Sequence, residues 1–306
     1  MTKFAFHDGA IVPIADAHVS VTCTTFHYGI GCFAGIRAFW NEEREQLYIF
    51  RADEHYKRLL NSAKFLMSDI GHSNAELIGI TTDLLRKESW RQNVYIRPII
   101  YKDDGVFRVQ LHDSTDKIAI YSQPVGHYIK KEGALSVGFS SWRRVDDNAI
   151  PARGKISGTY INSALAKTEA VMNGFDEALV LTQDGHVSEA SAANLFMVRD
   201  GVLITPPITD NVLEGITRKS MIQFGREDLG LEVVERSIDR SELYLANEAF
   251  FCGTGVGVAA IGKIDHRLVG DGNAGPIAQS LLNHYQKVVT GKVEKYMDWL
   301  TPVYAK

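Results

Sequence analysis

Short runs with period-two alternation of apolar residues occur in both halves of the chain, between amphipathic stretches of helical period, but never in strict strand–helix–strand order. This pattern constrains the fold more than any other feature: period two specifies sheet, a period near 3.6 specifies helix, and the irregular order favours an α+β architecture over a doubly wound parallel sheet. In "FAFHDGAIVPI", Asp8-Gly9 lies between two apolar runs and predicts a hairpin turn. "CFAGIRAFW" and "QLYIF" flank a charged loop from Asn41 to Gln46, and "NVYIRPIIY" and "KIAIYS" supply further β-branched and aromatic strands. Two helices fall between them. "ADEHYKRLLNSAKFLM" places Leu59, Leu60, Ala63, Leu66 and Met67 at helical spacing, and "SNAELIGITTDLLRK" opens with Ser73 and Glu76 at capping-box spacing.

The polar, glycine-bounded stretch "GHYIKKEGA", Gly126 to Ala134, reads as a linker. It divides the chain into a small α/β domain (1–128), a connection (129–134) and a large α/β domain (135–306). Within the large domain, "SALAKTEAVMNG" predicts a helix closed by a glycine cap, "EALVLTQDGHVSEAS" a hairpin, and "GITRKSMIQFGREDLG" and "GPIAQSLLNHYQKVVTG" two further helices.

A net charge of -4 with no block of like charges gives no electrostatic footprint for nucleic acid or an anionic membrane. No stretch approaches the roughly 18 uninterrupted apolar residues of a membrane span, so the expected setting is cytoplasmic and the expected partners are small molecules. Cys23, Cys32 and Cys252 are widely spaced, with no C-x-x-C and no histidine at ligand spacing; they read as buried free thiols, and no metal site is expected.

Lys155 stands in "PARGKISGTY" between Gly154 and Gly158, where backbones approach closely. Alone, it reads as a surface lysine in a glycine-rich loop. A lysine that attacks a carbonyl must be neutral, which requires lowering its pKa from about 10.4. Tyr160 follows closely, and Glu189 lies in "HVSEASAANLF". Lysine, phenol and carboxylate are the groups that pyridoxal-phosphate chemistry uses: the amine for the Schiff base, the phenol for the ring oxygen, the carboxylate to keep the pyridine nitrogen protonated. A phosphate cradle is offered by "VLEGITRKS", where Gly215, Ile216 and Thr217 open a helix, and by the glycine-lined turn at Thr254 in "FFCGTGVGVAA". Arg97 alternates with Tyr95, which puts a cation and a phenol on one strand face.

Taken together, "HYGIGCFAGIR", "EHYKRL", "YIRP", "GKISGTYINSALAKTEA", "SEASAANLF", "LEGITR" and "CGTG" resemble, in order and approximate spacing, the fold-type IV pyridoxal-phosphate enzymes, and among them the branched-chain amino-acid aminotransferases, from about Phe4 to Leu300. The resemblance implies the two-domain α+β fold of the D-amino-acid aminotransferase-like enzymes and a cofactor of pyridoxal 5′-phosphate. It implies transfer of the amino group of Leu, Ile or Val to 2-oxoglutarate. Lys155 becomes the Schiff-base lysine, Tyr160 the partner of the ring oxygen, Glu189 that of the pyridine nitrogen and Leu213 the residue packed on the ring, with Arg58, Ile216, Thr217 and Thr254 on the phosphate. Around the substrate it places Phe33, Tyr95, Arg97, Tyr128 and Thr254-Gly255, with Tyr28 and Val109 from a second subunit, so a homodimer or larger homo-oligomer is expected. Two departures keep an (R)-selective primary amine transaminase, or an enzyme with both activities, as the alternative: Ala34 stands where the family usually has Glu, and the loop "DDGVFRVQL" carries bulky Phe107 and charged Arg108. Arg108 is expected at the pocket mouth, pairing with a substrate or acceptor carboxylate; an ion pair with Asp103 or Asp104 is the other outcome.

Overall fold

Asp8 and Gly9 both take positive φ (47° and 81°), the backbone of a tight turn, and pair the strand Phe4–His7 with Ala10–Pro13 as the sequence predicts. The computed structural model describes residues 1–105, 108–125 and 133–304. By internal contacts the chain forms two units, Met1–Gly126 with Gly154–Gly158 and Lys287–Lys306, and His127–Arg153 with Thr159–Gln286. The expected linker lies outside the described residues except for Gly133 and Ala134.

Residues 154–158 and 287–306 group with the first unit although they follow that linker in sequence. Backbone bonding explains this. Phe33 N donates to Lys155 O (3.0 Å), Lys155 N to Ser62 Oγ (3.0 Å) and Gly158 N to Gly29 O (3.1 Å), while Leu300–Pro302 pairs antiparallel with Tyr48–Phe50.

The first unit is built on an eight-stranded sheet around Val94–Lys102, which pairs with Asp116–Pro124 on one side and with both Gly31–Phe33 and Ile36–Asn41 on the other. Burial alternates along Val94–Lys102: Val94, Ile96, Pro98 and Ile100 are buried, whereas Tyr95, Arg97 and Ile99 are half-buried on the opposite face. Among the described residues, three α-helices lie wholly within this unit: α1 (Thr24–Tyr28), α2 (Ala52–Phe65) and α3 (Asn74–Glu88). The Ser73–Glu76 capping box opens α3, whose Leu77, Leu84 and Leu85 are fully buried, each contributing on the order of 1.5–3 kcal/mol of transfer free energy. Helix α2 ends two residues before the apolar pattern does: Leu66 is its C-cap, and Met67 turns to φ 51° and is exposed, so it does not extend the buried stripe.

The second unit is built on a nine-stranded sheet. The hairpin Glu177–Leu181/Val187–Ala190 forms as expected, and Val187–Ala190 carries Glu189. Helix α4 (Tyr160–Met172) is followed by Gly174 at φ 82°, the predicted glycine stop. Helix α5 (Ile216–Gln223) starts at Gly215 and runs on into a π-helical turn, Phe224–Asp228.

All three cysteines are buried and free. Desolvation pushes the Cys32 thiol up to about 12, with Asp116 adding to the shift, and raises Cys252 further. Lys102 and Asp116 form a buried ion pair of 2.8 Å across neighbouring strands, and Asp116 also accepts the Asp69 N–H (3.0 Å). Lys102→Met strands a buried carboxylate and is expected to cost about 3–5 kcal/mol in denaturant unfolding, with the double change Lys102→Met/Asp116→Leu recovering most of it. Additive losses in the double variant would exclude a coupled pair.

Candidate functional site

Two groups of side chains, one in each unit, gather nearly all the residues singled out from sequence. In the first unit the group lies on the half-buried face of the sheet. Arg37 is opposite Tyr95, Tyr121 opposite Arg97, and Phe33 opposite Ile99. Ala34 and Gly35 separate the two strands that share Val94–Lys102 as partner, with Ala34 N bonded to Pro98 O (3.0 Å). At Gly35 a Cβ would collide with the Tyr95 hydroxyl, so glycine lets the phenol lie against the backbone. That phenol accepts a hydrogen bond from Arg97 Nη2 (3.0 Å), and the Arg97 guanidinium carbon stacks 4.4 Å from the centre of the Phe33 ring. Lys155 Nζ lies 5.3 Å from the same ring centre. Arg97 Nε is buried with no hydrogen-bond partner among the described residues, leaving donor capacity for an anionic group.

Behind this face, α2 carries Arg58 and, one turn earlier, His55. His55 is fully buried, and its pKa is held well below the usual histidine value, first by burial and then by the charges of Arg58, Arg51 and Lys155. Arg58 and Lys155 thus both lie close enough to His55 for their charges to act on it.

In the second unit the centre is Glu189, 4% exposed. Arg144 Nη2 reaches Glu189 Oε1 at 2.9 Å, and Glu189 Oε2 accepts from Asn194 Nδ2 (2.9 Å) and Leu213 N (3.2 Å). Asn194 Nδ2 also donates to Leu213 O (3.0 Å), and Arg144 Nε to Asn211 O (3.0 Å). The loop preceding α5 is thus tied to the carboxylate directly at Leu213 and through Arg144 at Asn211. Gly215 caps α5 with no side-chain hydrogen bond, and a Cβ there would collide with Asn194 Oδ1. Ile216 and Thr217 are buried in the first turn, where the helix dipole favours an anion. Asn194 is in register with Cys252, and the same strand leads into the turn bearing Thr254 and Gly255, both half-buried. Tyr160 begins α4 and is half-buried.

Tyr28 and Val109 are exposed, at 41% and 69%. Arg108 pairs with Asp104 (3.5 Å) and donates to the Asp113 carbonyl within its own loop. Phe107 and Tyr128 lie outside the described residues. Among those described, no cluster of metal-binding side chains occurs and no helix is long and apolar enough to cross a membrane. The sequence reading missed Arg144 and gave Asn194 no role. "SSWRRVDD" offers nothing local to distinguish Arg144 from Arg143, whereas Asn194 sits within the quoted motif and its function depends on the partner strand.

Comparison with known proteins gives the family. Residues 31–264 fit the family described as amino-transferase class IV. The chain belongs to that family. Within it, the chain is 48% identical to a probable branched-chain-amino-acid aminotransferase of Aquifex aeolicus, over 99% of this chain and 97% of the other. Among solved structures, the branched-chain aminotransferase of Thermoproteus uzoniensis with norvaline superposes with a TM-score of 0.95 at 40% identity, covering 99% of this chain and 100% of that one. The branched-chain amino acid aminotransferase of Thermobaculum terrenum in its PLP-form also gives 0.95, at 38% identity, covering 99% of each chain.

Gly35→Ala is expected to displace the Tyr95 phenol and break its bond to Arg97, lowering kcat/KM by roughly tenfold or more while leaving the fold intact by circular dichroism. An unchanged kcat/KM would show that the close approach of Gly35 and Tyr95 does not serve the site.

Proposed function

We propose that this protein is a pyridoxal-phosphate-dependent aminotransferase that moves the amino group of branched-chain L-amino acids to 2-oxoglutarate, yielding branched-chain 2-oxo acids and L-glutamate. The observation that carries the reading is the buried Glu189 carboxylate, fixed by Arg144, Asn194 and the Leu213 N–H. A buried carboxylate paired with a guanidinium and tied to the loop before a helix N-terminus suits a pyridine nitrogen on one side and a phosphate nearby. When bound, the cofactor supplies an electron sink for the charge left at the substrate's Cα.

Each remaining role belongs to a residue of this chain. Lys155 is the point of covalent attachment, and its Nζ is the base that takes the Cα proton once substrate has replaced it. Glu189 holds the proton on the ring nitrogen. Tyr160 donates to the ring oxygen, and Leu213 covers one ring face. Arg58 and the backbone N–H groups of Ile216 and Thr217, with Thr254, hold the phosphate.

On the substrate side, Arg97 suits both partners of the exchange. Its stacking on Phe33 presents an apolar wall to a branched side chain, while its guanidinium edge can meet the distal carboxylate of glutamate. Tyr95 orients that guanidinium, and Thr254-Gly255 offers backbone to the α-carboxylate. The exposed Tyr28 and Val109 support their use in a second subunit's site, making a homodimer the smallest complete assembly. Arg108 would have to leave Asp104 to reach a substrate.

Lys155→Ala is expected to lower turnover by several orders of magnitude and to abolish the visible absorbance of the cofactor-loaded protein. Near-normal turnover of leucine with 2-oxoglutarate by that variant would overturn the reading. Arg97→Met should raise the KM for 2-oxoglutarate at least about tenfold, and more than it raises that for leucine, because only the acceptor brings a second carboxylate. Equal changes for both substrates would remove Arg97 from the acceptor side.

A further inference from the structure

Arg144 has no role in the chemistry set out above, yet it pairs with the carboxylate on which that chemistry depends. Its side chain is 8% exposed and that of Glu189 5%, so water screens neither charge effectively. The fork is divided in a specific way: Nη2 meets Glu189 Oε1, and Nε meets the carbonyl of Asn211 in the loop that also supplies the Leu213 N–H. The carboxylate is thereby asymmetric. One oxygen meets the guanidinium, and the other accepts from the neutral donors Asn194 Nδ2 and Leu213 N. Two further buried groups share this neighbourhood: the Cys252 thiol, which feels the charge of Glu189, and Arg218, whose charge acts on the same thiol and which pairs with Glu235 at 2.9 Å.

We infer that Arg144 is a positioning residue that holds Glu189 ionised and turns its carboxylate toward the cofactor's ring nitrogen, setting how strongly the site distinguishes a ring that carries that nitrogen from one that does not. The inference rests on the proposed placement of the cofactor against Glu189. The physical argument is one of compensation. A buried carboxylate that loses a paired guanidinium is more expensive to keep charged, and it lowers that cost by taking up a proton. A protonated Glu189 offers the ring nitrogen a donor where an acceptor is needed. Arg144 prevents this, and because the guanidinium is always protonated it never competes for the ring's proton. The Asn211 contact adds direction, since it fixes the guanidinium plane relative to the loop that carries Leu213.

The test uses apoprotein titrated with pyridoxal phosphate and with the analogue that has carbon in place of the ring nitrogen, followed by absorbance. Four proteins are compared: wild type, Arg144→Met, Glu189→Gln and the double variant. Wild type should prefer the natural cofactor by about tenfold or more. Arg144→Met should lose most of that preference, Glu189→Gln should lose it as well, and the double variant should be no worse than Glu189→Gln alone, because both changes act through one carboxylate. Arg144→Lys should restore part of the preference by returning a cation without the fork, which covers the case in which the methionine variant folds poorly. A wild-type preference in Arg144→Met, or losses that add in the double variant, would overturn the inference and leave Arg144 a purely structural residue. If wild type binds both rings equally, or neither, the placement of the cofactor on Glu189 fails first, and the assignment of Arg144 fails with it.

Discussion

A carboxylate buried as deeply as Glu189 must be compensated, and the second unit is arranged to do so. Its neighbours come from distant parts of the sequence: an arginine from the loop after Leu135–Phe139, an asparagine from the start of Asn194–Arg199, and a backbone N–H from the segment leading into α5. The two side chains each have a second bond that fixes their own position, Arg144 to Asn211 and Asn194 to Leu213. Gly215 is required for the same reason, because any side chain there would displace the asparagine oxygen. Satisfying one charge thus helps to determine the path of the loop that delivers the helix N-terminus, so the acid and the start of α5 are built as one piece.

The first unit solves a different problem, which is to display long cationic side chains without burying them unsupported. It uses the pleat. With Ile96, Pro98 and Ile100 turned into the core, Tyr95 and Arg97 necessarily face the other way, and Arg97 gains an aromatic platform from Phe33 on a neighbouring strand. Lys155 joins this face through backbone bonds rather than through its position in sequence, since its carbonyl accepts from Phe33 N and its N–H donates to Ser62. Burial and the charges of Arg58, Arg51 and Lys155 disfavour a proton on His55, which so adds no further buried charge beside them.

What could be read in advance follows from range. The Asp8-Gly9 hairpin, the Ser73–Glu76 box and the Gly174 stop are set by a few adjacent residues, and they form as the sequence predicts. The separate strands in "CFAGIRAFW" could not be resolved that way, because the Tyr95 hydroxyl that lies against Gly35 at the break comes from another strand. Likewise, the grouping of residues 154–158 with the first unit depends on bonds to Phe33, Ser62 and Gly29, and nothing in "GKISG" itself announces those partners. Arg144 is the same case in a single side chain: its neighbour Arg143 has identical local chemistry and instead bonds the Thr182 carbonyl.

The three cysteines have a practical meaning. All are buried, and burial drives the thiols of Cys32 and Cys252 far from ionisation at neutral pH, so neither presents a nucleophile to solvent. A maleimide or haloacetamide meets almost no native competitor on these two. A single cysteine introduced at an exposed position would therefore be a selective handle for a fluorophore, a spin label or a surface tether, without first stripping thiols that the cores of both units depend on for packing.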